Sequence, residues 1–420
     1  MSEREGRGDP GRGGGSGGAA SGAGLRLARQ ARGLSQQQLA GMAGISRQAV
    51  SAVESGVSDP SLRVALALAH ALGMTVEELF GPGSPAPPVA ARPLAPLGTS
   101  GGRVALAPVG DSFVALPLSG ATVTRAGFLP AGGRAELPAG HPAAGGTPAD
   151  GAADDGGAGP GSVRPIGPPR PTLVVAGCDP ALPLIEAPLA LLDPPVAFAW
   201  WPCGSSEALR LAAGGLVHVA GAHLRDDDGG YNTGPASQQL LGGAEIIRFC
   251  SWREGLVLRP SMARGISGVG ALPGSGLRLV NRDAGSEARR LLDRELGAHG
   301  IDPASLPGYD TAATGHLEVA AVVAAGVADV GIASEPAALA YGLDFVPLAQ
   351  ERFDLVIPAV HAGSREVQAM VRVLSSPWLL DQLASLPGYD PSRCGEHLAT
   401  LPGQGGRPGR DERLVPLRRQ

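Results

Sequence analysis

The fold of the N-terminal part is set by residues 25–80, which read LRLARQARGLSQQQLAGMAGISRQAVSAVESGVSDPSLRVALALAHALGMTVEELF. Ser35 and Gln38 have the spacing of a capping box and predict a helix that starts just after Ser35. Ser46 predicts a second N-cap, and Gly44 can adopt the positive φ of the turn before it. The pattern therefore indicates two short helices joined by a tight turn.

Two more helices are predicted downstream of this pair. The first has apolar residues at the spacing of one buried face, namely Leu62, Ala65, Leu66, Ala69 and Leu72. Thr75 and Glu78 predict the cap of a short final helix. With the helix that precedes Ser35, these signals predict an all-α bundle of five helices with a helix-turn-helix at its centre.

The segment resembles the XRE-type, phage-repressor-like helix-turn-helix family through GLSQQQLA, the Ala-Gly-Ile-Ser turn and the run from Val50 to Gly56. The resemblance implies that the helix beginning at Ser46 enters the major groove of DNA. It implies three DNA-binding residues on the exposed face of that helix: Arg47, Gln48 and Ser51. Gln36, at the start of the preceding helix, is placed for a phosphate contact aided by the helix dipole.

These residue types suit base recognition. Arg can donate two hydrogen bonds to guanine and Gln can pair with an adenine edge, each good contact being worth about 1–3 kcal/mol of discrimination. Four further arginines either attract phosphate or form an ordinary solvated face: Arg26, Arg29, Arg32 and Arg63. One bundle covers little DNA, so we expect a homodimer on a palindromic operator.

Composition limits the other possibilities. The 420 residues carry a formal charge of −5, and no lysine occurs, which excludes Schiff-base catalysis and a phosphate-loop lysine. The four cysteines lack paired metal-ligand spacing and are expected to be reduced thiols. No signal peptide and no run of about 20 apolar residues is found, so we expect a cytoplasmic protein without a membrane partner.

Low-complexity sequence suggests the domain boundaries. Residues 1–24 are predicted to be disordered, and residues 25–81 form the helix-turn-helix domain. Residues 82–171 are predicted as a linker with a small β-element near 103–118. A ligand-sensing domain is predicted over 172–400, followed by a disordered tail over 401–420. In the sensing domain short apolar runs alternate with helical patterns, which is typical of an α/β fold built on parallel strands.

The α/β part resembles the periplasmic-binding-protein-like domain, related to molybdate-binding receptors, that is found fused to helix-turn-helix regulators. The motifs are CGSSEALRLAAGG, LVNRDAGSEARRLLD, GYDTAATGHLEVAAVVAAGVADVGI and GLDFVPLAQERFDLVIP. The resemblance implies a type II two-lobe fold around a cleft. It places the two crossings between the lobes near Trp252–Leu258 and Gly342–Leu348.

Several predicted strands end in a polar turn that opens a helix. Such turns present unpaired N–H groups and the positive end of a helix dipole, and they lie at the strand ends where α/β proteins bind ligands. The turns predict a site for a small anion, with molybdate or tungstate as examples. The candidate ligand-binding residues are Asp179, Ser205, Ser206, Asn281, Arg282, Ser286, Thr314 and His316. Simple helix capping explains a single serine equally well.

Two positions depart from the family pattern. The run Asn281 to Arg289 lacks a threonine hydroxyl and gains Glu287, and Cys178 stands where relatives often have histidine. Both changes leave the identity of the anion open.

The residues predict a ligand-responsive transcription regulator and not an enzyme. An enzyme or an intracellular small-molecule carrier on the two-lobe fold is the alternative. Against catalysis, no G-x-S-x-G elbow and no metal-ligand cluster is found in the sequence. His223 with Asp226–Asp228 could bind a metal, but such acidic loops are more often solvated turns. We therefore expect no metal and no cofactor.

Overall fold

The computed structural model describes two compact units, which are treated separately below. One contains residues 1–106 and 112–169, and the other contains residues 107–111 and 170–420. The described residues are 17–80, 87–98, 100–119, 128–136, 161–226, 229–260, 262 and 264–403. Within these ranges, no helix combines the length and the apolar character that crossing a bilayer requires.

The first unit begins with the predicted five-helix bundle. Ser35 and Gln38 form the capping box, Ser46 caps the third helix through the N–H of Ala49, and Gly44 has φ 64°. Thr75 and Glu78 cap the last helix in the same reciprocal way. The helices are α1 Gly17–Gln30, α2 Gln36–Ala43, α3 Arg47–Glu54, α4 Leu62–Leu72 and α5 Val76–Phe80.

Two details of the bundle differ from the sequence expectation. The segment predicted to be disordered, 1–24, includes the first turns of α1 from Gly17, while residues 1–16 lie outside the described residues. Helix α1 continues there because Gly22 lets it approach α3, where a Cβ would lie 2.2 Å from the Val53 carbonyl oxygen. In α4 the buried stripe includes Leu68, whereas Leu62 and Leu66 sit at its edge and are exposed.

Five strands between Val89 and Pro165 form a closed barrel, where only a small β-element near 103–118 within a linker was expected. The remaining strands are short and rich in Gly, Ala and Pro, so their sequence resembles a loop. Leu27 of α1 is buried in the barrel's apolar cluster, which joins the barrel to the bundle. The strands, in the barrel order β1-β3-β2-β4-β5, are Val89–Pro93, Ser112–Pro117, Arg103–Val109, Gly133–Glu136 and Gly161–Pro165.

The second unit is an α/β fold with a nine-stranded mixed sheet. Its strands are β6 Thr172–Ala176, β7 Ala197–Trp201, β8 Val219–Ala222, β9 Ala244–Leu258, β10 Leu279–Arg282, β11 Ala312–Ala313, β12 Val330–Ser334, β13 Asp344–Pro358 and β14 His397–Leu401. Its helices are α6 Glu186–Ala190, α7 Ser205–Ala213, α8 Thr233–Gln239, α9 Glu287–Ala298, α10 His316–Ala324, α11 Glu335–Ala340, α12 Ala359–Ala362, α13 Arg365–Leu374 and α14 Pro377–Ser385.

The sheet order is β11-β10-β12-β9-β13-β8-β6-β7, with β14 also on β9. The outer strands pair in parallel, as predicted, but the central pairs that include β9 or β13 are antiparallel. Strands β9 and β13 pair along their whole length, from Leu258 opposite Asp344 to Ala244 opposite Pro358. They are long because they carry the chain between the lobes, so the two predicted crossings are parts of two continuous strands.

The two long strands divide the unit into lobes with separate cores. Lobe A contains β6, β7 and β8, and its core includes Phe249, Trp252 and Phe353. Lobe B contains β10, β11 and β12, and its two apolar clusters lie on the two faces of the sheet. The arrangement brings strand ends from both lobes together beside β9 and β13.

Candidate functional site

A buried polar cluster lies where the two lobes meet. Cys178 follows β6 and His223 follows β8 in lobe A, while Arg282 ends β10 and His316 begins α10 in lobe B. Each of these side chains is at most 5% exposed. The Cys178 sulfur and one ring nitrogen from each histidine lie within 4.8 Å of one another. Both lobes therefore contribute to one small constellation.

The long strands add two buried glutamates to this cluster. Oε1 of Glu254, on β9, lies 3.4 Å from His316 Nδ1. Oε2 of Glu351, on β13, lies 3.9 Å from His223 Nδ1. Trp252 donates from Nε1 to Glu254 at 3.1 Å, and its ring lies 5.7 Å from His223 and 6.0 Å from the His316 ring. Each histidine thus has a carboxylate near its Nδ1 atom and the Trp252 ring beside its imidazole.

Several buried atoms of the cluster have no hydrogen-bond partner among the described residues. They are both ring nitrogens of His223, Nε2 of His316, Nη2 of Arg282, Oε1 of Glu254 and both carboxylate oxygens of Glu351. Buried polar atoms are normally satisfied, because leaving one unpaired costs about 1–3 kcal/mol. So many unpaired atoms in one place indicate a binding site for something that completes them.

The electrostatics of the thiol fit its surroundings. Burial alone would raise the pKa of Cys178, but the neighbouring His223 and His316 lower it to about 6. Burial likewise works against the charged form of Glu254, yet His316, His223 and the Trp252 hydrogen bond lower its pKa to about 2. Burial also works against the charged forms of the two histidines, yet Cys178 and Glu351 raise the pKa of His223 and Glu254 raises the pKa of His316. The acidic and basic groups of the cluster therefore stabilise one another's charged forms.

The structure brings only two of the sequence-predicted ligand residues into this cluster. Arg282 Nη1 lies 3.1 Å from His316 Nδ1, and Nη2 is the unpaired buried donor. Ser334 N–H also points to His316 Nδ1, at 3.2 Å. Because two donors face Nδ1, this nitrogen accepts, and a neutral His316 ring carries its proton on Nε2.

The other predicted ligand residues hold the protein together. Asp179 accepts from Ala181 N–H, Tyr389 Oη–H and the Cys250 thiol at 2.7–3.0 Å. Asn281 donates to the Tyr309 carbonyl. Thr314 is exposed, and its N–H donates to the Glu318 carboxylate at 2.9 Å. These contacts use the polar groups that were expected to face the anion.

The three predicted serines lie at two helix starts that the structure brings together. Ser205 accepts from the His223 N–H at 3.2 Å, and Ser286 caps α9 through the Arg289 N–H. Ser206, in lobe A, donates to the Gly285 carbonyl of lobe B at 3.1 Å. The lobes are thus in contact at this point through Ser206, whereas the hydroxyls of Ser205 and Ser286 bond within their own lobes.

Sequence reasoning did not select Cys178, His223, Glu254 or Glu351 as ligand residues. Cys178 and His223 carried a detectable signal, because each directly follows a strand end. The two glutamates lie inside long apolar strands and have no local signal. His223 points into the buried cluster, whereas Asp226 accepts from the N–H groups of a nearby turn, and Asp227 and Asp228 lie outside the described residues.

The predicted DNA-contacting face is open on the surface of the bundle. Arg47, Gln48 and Ser51 are exposed on α3. Gln36 is half-buried and donates from Nε2 to the buried Glu54 at 2.9 Å. Glu54 also accepts from Arg29 Nε at 2.6 Å, so Arg29 is part of an internal ion pair that ties α1 to α3.

Comparison with known proteins agrees with this division of the chain. Residues 25–79 match the helix-turn-helix family profile, and residues 187–375 match the PBP superfamily domain. An uncharacterized HTH-type transcriptional regulator of Methanocaldococcus jannaschii is 39% identical over 56 residues, which are 13% of this chain and 85% of that protein. The chain belongs to the helix-turn-helix transcriptional regulators.

The C-terminal half of the chain also has relatives. The uncharacterized protein YvgK of Bacillus subtilis is 29% identical over 231 residues, covering 54% of this chain and 73% of that protein. Among solved structures, a putative phosphate ABC transporter substrate-binding protein of Clostridium perfringens has a TM-score of 0.40 and 14% identity. That likeness covers 51% of this chain and 96% of the other. The two family matches together describe a helix-turn-helix domain followed by a PBP-like domain.

Proposed function

We propose that the regulator changes its affinity for operator DNA when a small ligand occupies the cluster between lobes A and B. The observation that carries the proposal is the buried group of unpaired polar atoms, supplied by both lobes, in a chain that also has a DNA-binding bundle. A ligand that pairs these atoms stabilises one arrangement of the lobes over others. Occupancy and lobe position are coupled for that reason.

The DNA-reading part of the proposal rests on α3. Arg47 and Gln48 are exposed and carry the donors that base edges accept, and Ser51 lies one turn further along the same helix. Gln36 remains a proposed phosphate contact, although its amide bonds to Glu54 in this structure. A homodimer on a palindromic site is part of the proposal. The exposed Leu62 and Leu66 are apolar side chains available for contact with a second copy.

We propose that the ligand is a small anion, as the sequence predicts, and that it contacts fewer residues than the sequence predicts. Arg282 Nη2 and His316 Nε2–H are buried donors without an acceptor among the described residues, and both could bind an oxyanion such as molybdate or tungstate. Asp179, Ser205, Ser206, Asn281, Ser286 and Thr314 would act indirectly, by holding strand ends and helix starts in place.

Two measurements test the proposal. The full chain is used to select binding sites from randomised duplexes, and we expect a two-fold symmetric sequence; recovery of random DNA would count against a regulator. Thermal unfolding is then followed with molybdate, tungstate, sulfate and phosphate. A true ligand stabilises the sensing unit by about 2.7 kcal/mol at a hundred times its Kd. No shift with any of these anions would remove the oxyanion from the proposal.

A further inference from the structure

We infer that Cys178, His223 and His316 form a binding site for a thiophilic d10 metal ion, with Zn²⁺ as the ion to test. The inference deepens the proposed function, because it names a ligand class for the same cluster. One sulfur and two imidazole nitrogens are the donors that Zn²⁺ and Cu⁺ prefer. Three protein ligands with one open position are also the ligand count of zinc sites that bind a further molecule.

The spacing of the donors fits an ion held between them. The three donor atoms lie within 4.8 Å of one another. Tetrahedral Zn²⁺, with bonds of about 2.0–2.3 Å, requires donors about 3.3–3.6 Å apart. Binding in that geometry requires the three side chains to move closer together. The three side chains start from β6, β8 and α10, so the rigid strand ends and helix start of two lobes position them.

The atoms behind the donors have the arrangement that metal-binding histidines require. A ligating histidine nearly always directs its second ring nitrogen to a carboxylate or carbonyl. His223 Nδ1 faces Glu351 at 3.9 Å, and His316 Nδ1 faces Glu254 at 3.4 Å. In both rings Nε2 is left without a hydrogen-bond partner among the described residues. Two histidine–carboxylate pairs are therefore directed at one thiol.

The charge of the cluster favours a cation. Glu254 and Glu351 are at most 1% exposed, and the only fully buried guanidinium beside them among the described residues is Arg282. Arg225 also approaches Glu351, at 3.9 Å, but its side chain is 43% exposed. An ion of charge +2 offsets this excess of carboxylate.

Metal binding would also rearrange Arg282. Without metal, His316 Nδ1 accepts from Ser334 N–H and from Arg282 Nη1. A metal bound at Nε2 takes the place of the proton there, so the neutral ring must carry its proton on Nδ1, directed at Glu254. Arg282 Nη1 and the Ser334 N–H then both lose this acceptor, so Arg282 and the start of α11 must shift relative to His316. Metal binding is thereby coupled to the end of β10, where Arg282 lies, and so to the position of lobe B.

Cobalt spectroscopy on the full-length protein tests the site. Metal-free protein is titrated with Co²⁺ and then with Zn²⁺. We expect one equivalent of Co²⁺ with the visible bands of tetrahedral coordination and a sulfur-to-cobalt charge-transfer band, both removed by Zn²⁺. An octahedral spectrum, or one without the sulfur band, would overturn the inference, and this readout needs no variant.

Variants assign the donors. Cys178→Ser should abolish the sulfur band, and His223→Ala should weaken Co²⁺ binding at least 100-fold. Glu351→Gln should weaken it about 10–100-fold through His223. Cys394→Ser and His299→Ala are the controls, because they remove a thiol and an imidazole that lie outside the cluster. Both should bind Co²⁺ as tightly as the natural chain does. Equal binding by Cys178→Ser and Cys394→Ser would contradict the assignment.

The outcome is separable from the proposed function. Operator affinity is measured on the same samples with and without one equivalent of Zn²⁺. If the protein binds metal through its thiolate but its operator affinity does not change, the metal site is supported and its regulatory role is refuted. If the protein binds no Co²⁺ but molybdate changes its operator affinity, the metal site is refuted and the proposal of a ligand-responsive regulator stands.

Discussion

Replacing Glu54 with alanine should destabilise the DNA-binding bundle more than any substitution of an exposed residue in it. The Glu54 side chain is 1% exposed and accepts from Arg29 Nε at 2.6 Å, Arg29 Nη2 at 3.1 Å and Gln36 Nε2 at 2.9 Å. These bonds join α3, the proposed recognition helix, to α1 and to the start of α2. Glu54→Ala removes all three and leaves the guanidinium of Arg29, which is 11% exposed, without its carboxylate.

The size of the effect follows from burial. Breaking a buried ion pair by removing one partner costs about 3–5 kcal/mol, mostly because the other charge stays buried and unpaired. Arg29 keeps its bond to the Leu34 carbonyl and Arg26 keeps its bond to the Glu54 carbonyl, so we expect the lower end. A loss of about 3 kcal/mol lowers the midpoint of a bundle of this size by about 15 °C.

The assay must report on the bundle alone, because a chain with two units need not unfold in one step. Hydrogen exchange of the α1–α3 amides in the full chain measures the local free energy of opening. Asp59→Ala, an exposed carboxylate in the same bundle, should change it by less than about 0.5 kcal/mol. If the α1–α3 amides exchange as slowly in Glu54→Ala as in Asp59→Ala, the ion pair contributes nothing to the stability of the bundle and the reasoning is refuted.

Two further predictions concern specificity and pH. Arg47→Ala and Gln48→Ala should each weaken binding to the selected operator by about 1–3 kcal/mol while leaving random DNA nearly unaffected, as anisotropy titrations can show; equal losses on both DNAs would mean that α3 does not read bases. Burial lowers the pKa of His218 to about 4, so its neutral form stabilises the fold above pH 6.5 and this stability is lost as the pH falls toward 4. His218 should account for about 2 kcal/mol of loss in the free energy of unfolding, measured in urea, between pH 7.5 and pH 5, and His218→Asn should remove that share; the same loss in the variant would contradict the assignment.

Local signals were sufficient for the helices of the bundle. Ser35, Ser46 and Thr75 cap the helices that they were expected to cap, because a cap is defined by residues three positions apart. The strand ends of the two lobes were also predicted from short apolar runs. The barrel was not, because its closure depends on pairing between β1 and β5, which are 68 or more residues apart along the chain.

The site was predicted only in part for a similar reason. Arg282 and His316 were selected because each stands next to a strand end or a helix start. The serines were selected by the same rule, but in the folded chain Ser206 bonds across the two lobes and Ser205 and Ser286 bond within their own lobes. Glu254 and Glu351 face the histidines only because β9 and β13 pair side by side, and sequence periodicity does not show which residue stands opposite which.

The central claim is that occupancy of the cluster between the lobes changes how the bundle binds DNA. The most direct measurement is the Kd of the full chain for its selected operator, with and without saturating Zn²⁺ or molybdate, at one ionic strength. The account predicts a change of about 5–150-fold with one of these ligands, and loss of that change in His223→Ala. An operator Kd that stays the same with every ligand that the protein is shown to bind would contradict it.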